Sequence, residues 1–174
     1  TATNSQVIVD KSVTVNNNDK NEVGPIVLTN AINGSATNEY SGFNVSNAGD
    51  VNGDGYDDFI IGTNSSSIGT AYVVFGNSSN VMPMNLASLT VAGNTLGFAI
   101  KSTGYARAVS GVGDINGDGL ADLVVGDYSA NGYIGQTYVV FGKANTNTVT
   151  LSNLTAGGST AGFVINGELA GDYS

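Results

Sequence analysis

The apolar residues of this chain come in short runs rather than in helical stripes. Phe59-Ile-Ile61 and Leu123-Val-Val125 each end at a glycine, Gly62 and Gly126. Both fit a short buried strand. Downstream, Tyr72-Val-Val-Phe-Gly76 recurs as Tyr138-Val-Val-Phe-Gly142, and Gly97-Phe-Ala-Ile100 recurs as Gly162-Phe-Val-Ile165. The period is 64 from Gly62 to Gly126 and 66 from Tyr72 to Tyr138, so two residues are added in the intervening loop, where insertions are tolerated. Each unit reads as a lead-in strand, a polar loop, a strand, a loop, a strand, a long connection and an outer strand. Four short strands per unit is the arithmetic of a propeller blade. The expected fold is therefore all-β, with propeller-type blades of four antiparallel strands in a partial propeller of about two and a half blades. The middle strands are apolar on consecutive residues, as expected where both faces are covered by neighbouring blades. Their Phe and Tyr side chains are read as core.

The repeat also predicts how the chain is divided. Residues 30–101 and 102–165 form two blade units. Ile165-Asn-Gly-Glu-Leu-Ala-Gly-Asp-Tyr-Ser174 aligns with Ile32-Asn-Gly-Ser-Ala-Thr-Asn-Glu-Tyr-Ser41, so residues 166–174 read as the start of a further repeat. Val7-Ile-Val9 precedes Ile32 much as Val139-Val-Phe141 precedes Ile165. Residues 1–29 are accordingly expected to hold exposed strands, either a degenerate half blade or a donor segment.

The polar loops carry the candidate chemistry. Asp50-Val-Asn-Gly-Asp-Gly-Tyr-Asp-Asp58 and Asp114-Ile-Asn-Gly-Asp-Gly-Leu-Ala-Asp122 place oxygen-bearing side chains at positions one, three, five and nine, with glycine at six. A hard divalent cation takes about 6–8 oxygens, and alternate residues of a tight loop can aim theirs at one centre. The expected ligands are the side chains of Asp50, Asn52, Asp54 and Asp58, and of Asp114, Asn116, Asp118 and Asp122. The backbone carbonyls of Tyr56 and Leu120 fit position seven. Two calcium ions follow from this reading. Asn-Gly and Asp-Gly pairs also mark ordinary hairpin turns that need no metal, and that alternative stays open. An EF-hand would need a bidentate glutamate at position twelve and flanking helices. Position twelve is Ile61 or Val125, inside a strand. Asp57 has no counterpart, Ala121 standing in its place, and reads as a solvated charge or an outer-shell acceptor.

Composition narrows the class. Of 174 residues, 25 are glycine, 2 are proline and only 11% are charged, which favours a turn-rich β chain of single-domain size. The net charge of −9 offers no basic stripe, so nucleic acid is not an expected partner and anionic membrane is not an expected surface. Seven of the 14 acidic residues sit in the two loops, and two bound calcium ions would bring −9 to −5. The absence of cysteine and histidine removes thiol nucleophiles, disulfides, common zinc sites and histidine general bases. No hydrophobic run approaches membrane-spanning length, so membrane insertion is not expected. Weak calcium loops suit the calcium-rich exterior of a cell, and the expected location is extracellular or cell-surface.

Ser41-Gly-Phe-Asn-Val-Ser-Asn-Ala-Gly-Asp50 through Gly62 and then Tyr72 to Gly76, with Ala106-Arg-Ala-Val-Ser-Gly-Val-Gly-Asp114 through Gly126 and then Tyr138 to Gly142, resembles the FG-GAP repeat. Similar repeats occur in integrin α-subunit propellers and, more closely, in the calcium-binding repeats of bacterial extracellular surface proteins. The resemblance implies that each metal loop joins the first two strands of a blade. The family's Gly-Ala-Pro element is replaced here by Gly62-Thr63-Asn64 and Gly126-Asp127-Tyr128, a departure at the blade-edge turn.

Three functions are expected in order. The first is a non-catalytic, extracellular, calcium-stabilised module for adhesion or surface assembly, whose partners are further repeats or copies of the same protein, or an extracellular protein or glycan. The second is a structural subunit of an extracellular fibre or layer, joined head to tail. The third is a carbohydrate-binding or polysaccharide-lyase propeller, with Arg107, Tyr128 and Tyr133 as sugar contacts, although these residues also fit packing and turn roles.

Overall fold

The computed structural model of the chain describes residues 6–7, 32–65, 68–78, 85–155 and 159–169. Most of the expected N-terminal strands in 1–29, and residues 170–174 of the expected next repeat, lie outside the described residues.

Eleven strands are described: β1 (Gln6–Val7), β2 (Ile32–Asn33), β3 (Asn44–Gly49), β4 (Asp58–Gly62), β5 (Thr70–Val74), β6 (Gly97–Lys101), β7 (Ala108–Gly113), β8 (Asp122–Asp127), β9 (Gln136–Val140), β10 (Val149–Thr150) and β11 (Gly162–Asn166). β3, β4, β5 and β6 form one antiparallel meander, and β7, β8, β9 and β11 form the second. These are two blades of the expected four-stranded antiparallel kind. No closed propeller forms among the described residues.

The expected long connection between third and outer strands proves structured. In the first blade it holds a 3-10 helix at Leu86–Thr90, and in the second a 3-10 helix at Leu151–Leu154. Both carry Leu-x-x-Leu, and all four leucines are buried. Just before the second helix, β10 leaves its own blade and pairs in parallel with β6 of the first, matching Val149 to Ile100. Asn85, before the first helix, makes the same kind of parallel bridge to Asn33 of β2, and β2 pairs antiparallel with β1. Each connection thus reaches back to an earlier outer strand.

Alternate residues of the apolar runs divide between two cores. Ile60, Val73, Phe98 and Ile100 face the seam between the blades, where they meet Val109, Leu123, Val125, Val140 and Leu151. Ile61, Tyr72, Val74 and Ala99 face the other way, against Ile32, Leu86 and Leu89. Covering both faces is what permits β5 to be buried at all five positions. The outer strands start at Gly97 and Gly162, with φ of 146° and 143°, where a Cβ would collide with the carbonyls of Val73 and Val139. Only glycine lets the backbone pass that close.

The seam is also tied by backbone hydrogen bonds. Thr63 N–H donates to Ala106 O (3.1 Å), Ala121 N–H to Asp50 O (2.8 Å) and Lys143 N–H to Val51 O (2.8 Å). The last two fasten the first polar loop to the second blade. Gly49 is fixed at the same seam, where a Cβ on it would meet that of Ala121 at 2.8 Å.

Candidate metal loops

The two loops join β3 to β4 and β7 to β8, the connection the resemblance implied. In both, the strand register slips immediately before the loop, between Asn47 and Gly49 and between Gly111 and Gly113. The chain then turns through glycines at positions four and six: Gly53 and Gly55 have φ of 79° and 85°, Gly117 and Gly119 have 80° and 89°. A side chain at any of these would carry left-handed strain.

The hydrogen bonds repeat residue by residue. Asp50 Oδ1 accepts from Gly53 N–H (2.8 Å) and Asp54 N–H (3.1 Å), and Oδ2 accepts from Gly55 N–H (2.9 Å). Asp114 does the same with Gly117, Asp118 and Gly119. Asn52 Oδ1 accepts from Asp54 N–H, and Asp54 Oδ1 from Tyr56 N–H; Asn116, Asp118 and Leu120 repeat the pattern. Asn52 Nδ2 and Asn116 Nδ2 each donate to the second oxygen of the following aspartate at 2.9 Å. The amides, with Gly119 N–H contributing most, hold the Asp114 carboxyl below its usual range.

Position nine differs in kind from the others. Asp58 and Asp122 are buried, whereas Asp54, Asp114 and Asp118 are exposed. Asp58 Oδ2 accepts from Val51 N–H (2.9 Å) and Oδ1 from Gly76 N–H (2.8 Å). Asp122 accepts from Ile115 N–H (2.9 Å) and Gly142 N–H (2.8 Å). Each therefore clamps the loop to the end of the third strand. Burial pushes the Asp58 carboxyl up to about 6; its two N–H donors oppose the rise and the nearby Asp54 and Asp50 carboxylates add to it.

The donor set is all hard oxygen: three carboxylates, one amide and a position-seven carbonyl per loop, the chemistry calcium selects. Among the described residues, no three His, Cys, Asp or Glu side chains gather into a group that could hold a metal ion as they stand. The carboxylates are instead spread over the loop's own amides, as a turn stabilised by Asx hydrogen bonds requires.

Two further buried carboxylates escaped the sequence reading. Glu39 Oε1 accepts from Tyr72 OH (2.6 Å), and its Oε2 accepts from Ser35 and Ala36 N–H and from the Ser35 and Ser41 hydroxyls. Asp127 accepts from the hydroxyls of Ser102 (2.7 Å) and Ser129 (2.6 Å). Both lie at the blade end away from the loops and anchor connections. Asp127 occupies the altered Gly126-Asp127-Tyr128 turn, which gives that departure a structural role. Tyr128 and Tyr133 share that end with Arg107, the third reading's contact group.

The family model of the FG-GAP repeat matches the chain over residues 41–74 and again over residues 106–140. The chain carries two FG-GAP repeats, and FG-GAP repeats are often calcium-binding. No curated protein matches the chain.

Proposed function

We propose that this chain is an extracellular or cell-surface, calcium-stabilised FG-GAP module that serves adhesion or surface assembly and has no catalytic role of its own. The observation that carries the reading is the identity of the two loops. Turn chemistry needs two residues of the Asn-Gly kind, whereas here four positions with oxygen-bearing side chains and two positive-φ glycines coincide in both copies. Calcium bound by Asp50, Asn52, Asp54, Tyr56 O and Asp58, and by Asp114, Asn116, Asp118, Leu120 O and Asp122, would be structural. It would replace repulsion among carboxylates with attraction, and would stiffen the loop whose carbonyls hold the second blade. The test is thermal melting in calcium and in chelator. Chelation lowers the melting temperature, and Asp54→Ala with Asp118→Ala removes most of that difference. Equal melting of the unaltered chain in both solutions would overturn the reading.

A second reading, units joined head to tail in a fibre or layer, draws support from the seam. Val51, Ala48, Phe98 and Ile100 are buried there, while their counterparts one repeat later, Ile115, Val112, Phe163 and Ile165, are 40–53% exposed. In the opposite sense, Val109 is buried and its earlier counterpart Val45 is exposed. Two complementary apolar faces thus remain, the arrangement of a heterologous, head-to-tail interface. Sedimentation of the chain with Ile115→Lys tests it: association that the substitution abolishes supports the reading, and a monomer at all concentrations contradicts it.

A further inference from the structure

At the blade end opposite the metal loops, the chain's single arginine stands among aromatic rings. Arg107 immediately precedes β7 at the seam, and its guanidinium carbon lies 4.1 Å from the Tyr105 ring centroid, 4.9 Å from Tyr128 and 5.5 Å from Phe43. The Tyr105 and Tyr128 rings stack at 4.8 Å, and Tyr133 continues the row 6.2 Å from Tyr128. Phe43 and Tyr133 are more than half exposed, so the row is an open surface rather than core.

Two features of this cluster exceed what packing requires. The Arg107 Nε is buried and has no hydrogen-bond partner. Buried donors are almost always satisfied, and a guanidinium cannot neutralise itself by losing a proton. Second, Tyr133 is held at φ 68° and Asn131 at φ 52°, both in the left-handed region that non-glycine residues avoid. Strain of this kind persists where the surroundings fix a side chain for a purpose, and here it sets Tyr133 in the row.

We propose that Arg107, with Tyr105, Tyr128, Tyr133 and Phe43, forms a binding site for the carboxylate-bearing sugars of an acidic polysaccharide. The guanidinium fork matches a carboxylate in two parallel hydrogen bonds, and with Nε enclosed the two terminal Nη groups are the donors for it. The exposed Phe43 and Tyr133 rings suit the apolar face of a pyranose. Acidic peptide is the less favoured ligand, because exposed aromatic rings suit the apolar face of a sugar ring better than a run of acidic side chains. The proposal rests on the adhesion reading only for what the ligand is for; the site lies away from the loops and needs no calcium.

The experiment is calorimetric titration of the whole chain, in calcium and again in chelator, with a glucuronate-containing tetrasaccharide, its methyl ester and a glutamate tetrapeptide. The expected result is binding of the acid form at least tenfold tighter than the ester or the peptide in both solutions. Arg107→Gln weakens it at least tenfold, Arg107→Lys restores part of the loss, and neither moves the melting temperature by more than a few degrees. Failure to bind the acid form, equal binding of acid and ester, or tighter binding of the peptide overturns the proposal. The comparison of acid with ester decides the matter even if Arg107→Gln fails to fold. Loss of binding in chelator alone overturns the calcium-independent site while leaving the calcium reading standing.

Discussion

Asp58→Ala separates the two roles that a loop carboxylate can have. The unaltered side chain is 2% exposed and satisfies the N–H groups of Val51 and Gly76. Alanine leaves both donors without a partner in a closed environment. Each unsatisfied buried N–H costs about 1–3 kcal/mol, so the pair costs about 2–6 kcal/mol, less whatever water recovers by entering the gap. For a chain of this size that corresponds to a fall in melting temperature of about 4–24 °C. The loss is expected in chelator, because the clamp works without metal. Asp54→Ala is the contrast: its hydrogen bonds to Tyr56 N–H and Asn52 Nδ2 are exposed, so in chelator it costs about 1 kcal/mol or less. In calcium both variants fall further behind the unaltered chain, since both lose a ligand, and the gap between them is kept. The assay is melting followed by circular dichroism at pH 7, with and without chelator. If Asp58→Ala melts with the unaltered chain in chelator, the clamp is not a source of stability and the reasoning fails.

Further predictions rest on other residues. Tyr72→Phe removes the phenol that donates to buried Glu39 and is expected to destabilise the fold by about 1–3 kcal/mol, read from urea midpoints. Burial beside the Phe98 ring pulls the Lys143 ammonium down to about 8 from its usual 10.5. Between those values the unfolded chain binds more protons than the folded one, so this group's contribution to stability rises with pH. Burial, and then Glu39, pushes the Tyr72 phenol above its usual range, so its contribution is present below the usual phenol value and is lost above it. The Lys143 effect is therefore best read from about pH 7.5 to about 9.5, where Lys143→Met is expected to flatten the rise seen in the unaltered chain.

The strands and loops were legible because their signals are local. Phe59-Ile-Ile61, Tyr72 to Phe75 and the two loops declare themselves within a few residues, and the repeat confirms each reading with a second copy. The separate roles of the loop carboxylates were less legible. A formula of ligand positions does not separate Asp58, buried and clamped to Gly76, from Asp54, which is exposed. The Glu39 and Asp127 anchors were missed because their partners, Tyr72 for one and Ser102 for the other, are distant in sequence and carry no periodicity. The 3-10 helices had a signal in Leu86-x-x-Leu89 and Leu151-x-x-Leu154, but a single turn at that spacing resembles a loop. The return of β10 to β6 depends on neighbouring blades meeting, which no single segment encodes.

Calorimetric titration of the whole chain with calcium tests the central claim most directly. The account predicts saturable binding of two ions per chain, one for each loop, and none in the Asp54→Ala, Asp118→Ala double variant. With calcium tenfold above a millimolar-range dissociation constant, two sites stabilise the fold by about 3 kcal/mol, a rise in melting temperature of about 6–12 °C. No saturable binding at about 10 mM calcium, together with an unchanged melting temperature, would contradict it and leave the loops as turns held by their own amides.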